Sequence, residues 1–154
     1  MPGLYYEDLP VGFKYKTPSR TIFETDVSMF VSVAGLYEDL FCNIEWIKKS
    51  SPFKERFAPA ALTWAIAQGL TTRTGYYEDT FLAILGVDKM RLPQPLYVGE
   101  TIHVEAEVLS GRETSKGDRG VLNSRFLVKN QRGEVVLEYE MQQLVAKKQA
   151  SKGK

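Results

Sequence analysis

A chain of 154 residues, 44% hydrophobic and 25% charged, has the size and composition of one globular domain. Lys and Arg number 20 against 19 Asp and Glu, so bulk charge gives no attraction for nucleic acid. One cysteine excludes an intrachain disulfide, and with a single histidine it leaves no zinc ligand set of the common kinds.

The chain opens on Pro2-Gly3 and acidic residues rather than a basic stretch and an apolar run, so no secretory leader is read there. No apolar run nears the roughly 20 residues that cross a bilayer. A cytoplasmic protein without a membrane partner is the expectation. Residues 1–148 read as one domain, with a solvated, frayed basic tail begun by Lys147 and Lys148 and running through 149–154.

In chain order, an extended lead to about residue 12 is followed by a short strand over 13–17. A helix is expected over 24–34, where Val27, Phe30, Val31 and Ala34 fall at helical spacing and Gly35 ends it. Thr21 and Glu24 have capping-box spacing. A shorter helix over 43–49 stops at Ser50-Ser51-Pro52. The stretch 59–73 is the core helix: Pro59 suits a first turn, and Ala60, Ala61, Leu62, Ala65, Ile66, Ala67, Gly69 and Leu70 leave almost no polar face. Such a helix is expected to be buried all round.

Strands follow. Residues 80–92 form one, with Gly86 at a bend or bulge. Over 101–108, Ile102, Val104, Ala106 and Val108 alternate inward against His103, Glu105 and Glu107. Residues 115–120 are a polar turn, and 121–129 pairs with 134–145 through Asn130-Gln131-Arg132-Gly133. One strand, helices, a buried helix and four more strands make an α+β domain.

Few residues suit acid–base or nucleophilic work. His103 is the only histidine, and its alternation with two glutamates places it on a solvated face. Cys42 stands among Leu40, Phe41 and Ile44, which predicts a buried, unreactive thiol.

Several segments, taken in order, resemble one family. Tyr5-Tyr6-Glu7-Asp8-Leu9-Pro10-Val11-Gly12, Arg20-Thr21-Ile22-Phe23-Glu24-Thr25-Asp26-Val27 and Arg56-Phe57-Ala58-Pro59-Ala60-Ala61-Leu62-Thr63 carry it. So do Pro93-Gln94-Pro95-Leu96-Tyr97-Val98-Gly99-Glu100-Thr101 and, above all, Ala34-Gly35-Leu36-Tyr37-Glu38-Asp39-Leu40-Phe41-Cys42-Asn43. Together they resemble the MaoC-like dehydratases, which include the R-specific enoyl-CoA hydratases. The resemblance implies a hotdog fold, an antiparallel sheet wrapped around a long central helix. In the family the last segment carries an Asp and a His, five residues apart, that act on one water. Those two positions are Leu36 and Phe41 here, and neither transfers a proton.

What the resemblance implies for chemistry is therefore divided. At the helix start it places a thioester carbonyl against the amides of Ala60 and Ala61, beside Pro59, which stands where the family has a His. Glu38 and Asp39, between the two replaced positions, are candidate acid–base groups or plain surface carboxylates, Glu38 the better of the two. Lys48, Lys49, Lys54 and Arg56 would meet coenzyme A phosphates or simply line a solvated loop. Trp46, Phe53, Trp64 and Tyr97 would line an acyl tunnel or fill the core.

The implied function is an acyl-thioester hydratase/dehydratase-like protein with a non-standard site. A catalytically degenerate subunit that binds acyl groups or supports a heteromeric hydratase is the alternative, and a thioesterase the third. No metal or cofactor is expected beyond the coenzyme A or acyl-carrier moiety of the substrate. A homodimer or larger assembly, with a heteromeric hotdog partner as a variant, completes the expectation.

Overall fold

The computed structural model describes residues 3–148; the tail expected at 149–154 lies outside the described residues. A 3-10 turn, Tyr6–Asp8, interrupts the lead that was expected to be extended. Strand β1 is Lys14–Lys16 and β2 is Arg20–Thr21. Helices α1 (Glu24–Ala34), α2 (Asp39–Cys42), α3 (Ile44–Ser50) and α4 (Ala60–Thr72) follow. Strands β3 (Phe81–Arg91), β4 (Thr101–Glu113), β5 (Arg119–Lys129) and β6 (Val135–Ala146) complete the described chain.

The sheet is antiparallel throughout, in the order β1-β4-β5-β6-β3, with β2 also on β4. The strict alternation of β4 turns Ile102, Val104, Ala106 and Val108 inward, and all are buried. From β5 and β6, Phe126 and Tyr139 stack with ring centres 4.9 Å apart. Leu62, Ile66, Ala67 and Leu70 of α4 pack into this cluster. Gln68 Nε2 donates to the Tyr139 hydroxyl at 2.7 Å, fastening helix to sheet. A sheet curled around one long helix is the hotdog arrangement.

Several expectations need correction. The spacing of Thr21 and Glu24 does not make a cap. The Asp26 carboxylate instead accepts from Phe23 N–H at 2.8 Å, while Thr21 shares a 2.8 Å hydroxyl bond with Thr101. Local spacing lost here to pairing across β2 and β4. Helix α1 does end at Gly35, whose φ of 69° carries the turn back and lets Leu36 N–H reach Val31 O at 3.0 Å.

Helix α4 is not buried all round either. Ala61, Ala65 and Gly69 lie exposed along one side, because the sheet of a single protomer covers only the other. Alanine and glycine are apolar, but they are indifferent to burial. Lys147 and Lys148 are not frayed. Lys147 pairs with Glu113 at 2.7 Å, Lys148 N–H donates to Glu7 at 3.1 Å, and the Lys148 ammonium meets Asp8.

Two turns hold as expected. Gly133, at φ 80°, closes the β5–β6 hairpin together with the Asn130 N–H bond to Glu134 O at 3.0 Å. At Gly86 the β3 register shifts, and a Cβ there would stand 2.5 Å from Gln142 Oε1. Beyond that bulge β3 is the sheet's edge, and it presents Phe81, Leu82, Ile84, Leu85 and Met90 to solvent.

Candidate active site

The turn after α1 sets the first wall of the site. Leu36 and Phe41 are both partly buried and both pack against the main core. Phe41 stands edge-on to Phe57 at 5.7 Å, and Phe57 in turn to Phe53 at 4.9 Å. Arg56 Nε donates to Phe41 O at 2.8 Å, and its guanidinium reaches Ser28 at 2.9 Å and the Glu24 carboxylate. The run into α4 is thereby tied to the turn after α1, bringing the two segments together. What they form is an apolar wedge.

Glu38 and Asp39 sit on the outer side of that wedge. Glu38 precedes α2, and its carbonyl accepts from Phe41 and Cys42 N–H at 2.9 and 3.0 Å. Its exposed carboxylate has no partner among the described residues. Asp39, also exposed, accepts from Asn43 Nδ2 at 3.1 Å. Helix α2 escaped the sequence reading, since a single turn gives no periodicity. By turning the chain outward it also exposes Cys42, correcting the expectation of a buried thiol; Cys42 Sγ lies 3.5 Å from Leu36 O.

The second wall is the start of α4. Pro59 is buried, with φ −54° and ψ 146°, and its carbonyl accepts the first helical bond from Thr63 at 3.0 Å. The N–H groups of Ala60, Ala61 and Leu62 precede that bond and have no intrahelical acceptor. Ala60 and Ala61 are exposed residues at this end, where the helix dipole is positive.

The other candidates disperse. Arg56 turns inward, Lys48 faces Glu45 at 3.7 Å and Lys54 donates to Lys49 O at 3.2 Å, so the four cations do not converge. Burial lowers the Arg56 pKa from its ordinary value. The four aromatics divide: Phe53 and Tyr97 both meet Phe57, while Trp64 turns to Tyr139. Trp46 and Phe53 are exposed, Trp64 leans edge-on against Tyr139 at 6.5 Å, and Tyr97 bridges Phe57.

His103 does lie on the sheet's outer face, but its side chain is only 13% exposed. Its Nε2 is 3.2 Å from Glu105 Oε1, and Lys129 reaches the same carboxylate at 2.6 Å. Alternation assigns a residue to a face; it does not foresee the neighbours that lean across it. The Lys129 ammonium first, then His103, hold the Glu105 carboxyl below the usual carboxylate range.

One chamber went unnoticed in the sequence. A cavity of about 350 Å³ opens at the far end of α4, lined among others by Gln68, Thr71, Tyr77 and Gln143. Its signal was present in β6, where Tyr139, Met141, Gln143 and Val145 all take inward positions and only one is a carboxamide. Among the described residues no three His, Cys, Asp or Glu side chains cluster to hold a metal. No described helix is long and apolar enough to cross a membrane.

Comparison with known proteins agrees with this geometry. Residues 8–126 match the MaoC like domain. Over 146 residues the chain is 32% identical to the β-methylmalyl-CoA dehydratase of Chloroflexus aurantiacus, covering 90% of this chain and 39% of that protein. It thus spans about two fifths of that relative's length. A monoamine oxidase regulatory protein from Archaeoglobus fulgius superimposes with a TM-score of 0.87 at 28% identity, over 96% of this chain and 97% of that one. The unliganded R-hydratase from Pseudomonas aeruginosa gives 0.72 at 26% identity, over 95% and 88%. With the fold, the joined segments and the match over most of its length in agreement, this chain belongs to the MaoC-like domain family.

Proposed function

We propose that this protein binds an acyl thioester at the start of α4, as a member of the hydratase/dehydratase class, and does not itself activate the water. The carrier is coenzyme A or an acyl-carrier thiol. One observation carries the reading: Leu36 and Phe41 are packed apolar side chains at the two positions that would hold a carboxylate and an imidazole. Adding water across an enoyl thioester needs one group to take a proton from the water and one to give a proton to the α-carbon. Neither side chain can do either. The free amides of Ala60 and Ala61 need no particular side chain to polarise a thioester carbonyl, so binding and electrophilic assistance survive the replacement.

In this reading the missing pair comes from a second hotdog unit of different sequence, since a second copy of this chain would repeat the same Leu and Phe. The apolar edge of β3 is the surface that suits such a unit. The long dehydratase relative, of which this chain covers 39%, has length for more than one such unit.

A second reading has its own support. The Glu38 carboxylate is unpaired and stands on the same turn, so it is the one local group free to act as acid or base.

Crotonyl-CoA separates the two. Calorimetry is expected to show binding, while absorbance shows hydration at or near background for the parent and no change in Glu38→Gln. Loss of a measurable hydration rate in Glu38→Gln favours the second reading. The double variant Leu36→Asp, Phe41→His is expected to raise hydration by about a hundredfold or more, the scale of a general acid–base contribution. Brisk hydration by the parent that Glu38→Gln leaves untouched defeats both readings. Release of free thiol in the same assay would point to thioester hydrolysis, which is not expected.

A further inference from the structure

The start of α4 hangs on the loop that precedes β4. Ala58 N–H donates to Leu96 O at 2.7 Å, and Phe57 and Tyr97 face each other in an isolated antiparallel bridge. Only Pro59 separates that attachment from Ala60, and its ring fixes φ. Little freedom is left between the loop and the first amides of the helix. The same loop holds the entry to α1, since Ile22 N–H donates to Glu100 O at 2.9 Å and Gly99 N–H to Ile22 O at 2.7 Å. The segments that carry both walls of the candidate site are therefore joined to residues 96–100.

A buried carboxylate fixes this loop. Glu100 is 7% exposed. Its Oε2 accepts from the Tyr97 N–H at 2.9 Å, which closes the loop on itself, and its Oε1 accepts from Arg132 Nη2 at 2.6 Å. Arg132 stands in the β5–β6 turn, held from its other side by Glu134 at 2.9 Å and by its own N–H on Asn130 Oδ1 at 3.0 Å. A carboxylate is seldom buried unless it is paired and hydrogen-bonded, and here both oxygens are used. A fully satisfied polar network of this kind rigidifies its surroundings, because only one loop geometry makes both bonds.

We propose that Glu100, held by Arg132, is a positioning residue for the start of α4 and sets where the Ala60 and Ala61 amides point. The inference rests on the reading that a thioester carbonyl is polarised by those amides. Glu100 does not touch the acyl group; it acts through Tyr97 and Phe57. Donors of this kind work only when they are aimed, and a displacement of about 1 Å can cost about a hundredfold. Glutamine cannot replace Glu100, because one carbonyl oxygen would serve two donors and the amide would face one of them with hydrogens of its own.

The test compares the parent with Glu100→Gln, Arg132→Met and Arg132→Lys at a temperature where each is folded. Two readouts are taken: the backbone amide signals of Ala60 and Ala61 in the isotopically labelled chain without ligand, and the crotonyl-CoA Kd by calorimetry. Glu100→Gln and Arg132→Met are expected to move both amide signals and to weaken crotonyl-CoA about tenfold or more, with the Gln143 amide signal in place. Arg132→Lys, which keeps a cation beside Glu100, should return both readouts toward the parent. Should Glu100→Gln fail to fold, Arg132→Met, on an exposed turn, carries the test. A merely structural role would lower the urea midpoint and leave the two amide signals and the Kd where they are, and that result overturns the proposal. So does a lysine variant no better than the methionine one. Absence of crotonyl-CoA binding in the parent defeats the thioester reading itself, whereas equal binding by parent and variants defeats only the positioning role.

Discussion

Near the start of α4, the core it helps to build is flanked by Leu36 and Phe41, apolar side chains at the two positions where the resemblance places an acid and an imidazole. At its end α4 meets Tyr15, Tyr77 and Gln143, polar side chains where a packed core is ordinarily apolar. The first arrangement favours stability, since it removes apolar area from water. The second asks more of the fold, since a buried polar group left unmet costs about 1–3 kcal/mol. The two ends teach that family position and functional position have to be argued separately.

The largest effect should come from the floor both ends share. Tyr139 supports Trp64 edge-on, stacks on Phe126 and holds Gln68 through its hydroxyl. Tyr139→Ala is expected to lower the unfolding free energy by about 3–5 kcal/mol, read as a shift of the urea midpoint. A loss below about 1 kcal/mol would mean that the stack does not anchor the helix.

The comparison itself is sharpened by a pair of variants. Phe41→Ala, at the apolar end, should cost about 1–3 kcal/mol, less than full burial because the ring is only partly covered. Tyr77→Phe, at the polar end, should cost less. If Phe41→Ala proves neutral and Tyr77→Phe costly in chemical denaturation, the contrast between the ends fails.

Arg56 offers a smaller effect with a local address. Arg56→Met removes bonds to Phe41 O, Ser28 and Glu24, and should cost about 1–2 kcal/mol. Hydrogen exchange should quicken at the amides of Cys42 and Asn43, which close the α2 turn, and stay unchanged at Gln143. Uniform quickening would show that the two ends unfold together.

The smallest is a pH effect away from both ends. Lys129 and His103 hold the Glu105 carboxyl below its ordinary value of 4.5. A carboxyl depressed in the folded state contributes stability that is present above the unfolded value and is lost as pH falls through the folded one. Glu105→Gln should therefore flatten the acid limb of stability below about pH 4.5 by a few tenths of a kcal/mol, small because the side chain is 39% exposed. An unchanged acid limb would leave this ion pair without energetic weight.

Much of the fold could be read directly, for reasons particular residues make plain. Clean alternation in β4, left-handed turns at Gly35 and Gly133 and the bulge at Gly86 are local matters, settled within a few residues. The covering of α4 was not local. Ala61, Ala65 and Gly69 read as core because they are apolar, and only the extent of the sheet shows which side goes bare. Lys147 and Lys148 read as a tail because their partners Glu7, Asp8 and Glu113 come from distant segments. The turn from Leu36 to Phe41 was legible through its resemblance, while the outward swing of α2 that exposes Cys42 was not. Gln143 signalled its cavity by one polar residue at an inward position, but its meeting with Tyr77 depended on tertiary packing.

The clasp between the 3-10 turn and the end of β6 carries one more consequence. Since Lys148 N–H bonds to Glu7, the described chain closes into a ring in space, and its opening and closing stretches share one corner. A circular permutant joined there and cut in the exposed turn between Thr114 and Asp118 would keep every strand pairing of the sheet. The same neighbourhood is the place to hang a reporter group, because Asp79 lines both the clasp's cleft and the rim of the distal cavity. A fluorophore at that corner would sense the far end of the helix and leave its start undisturbed.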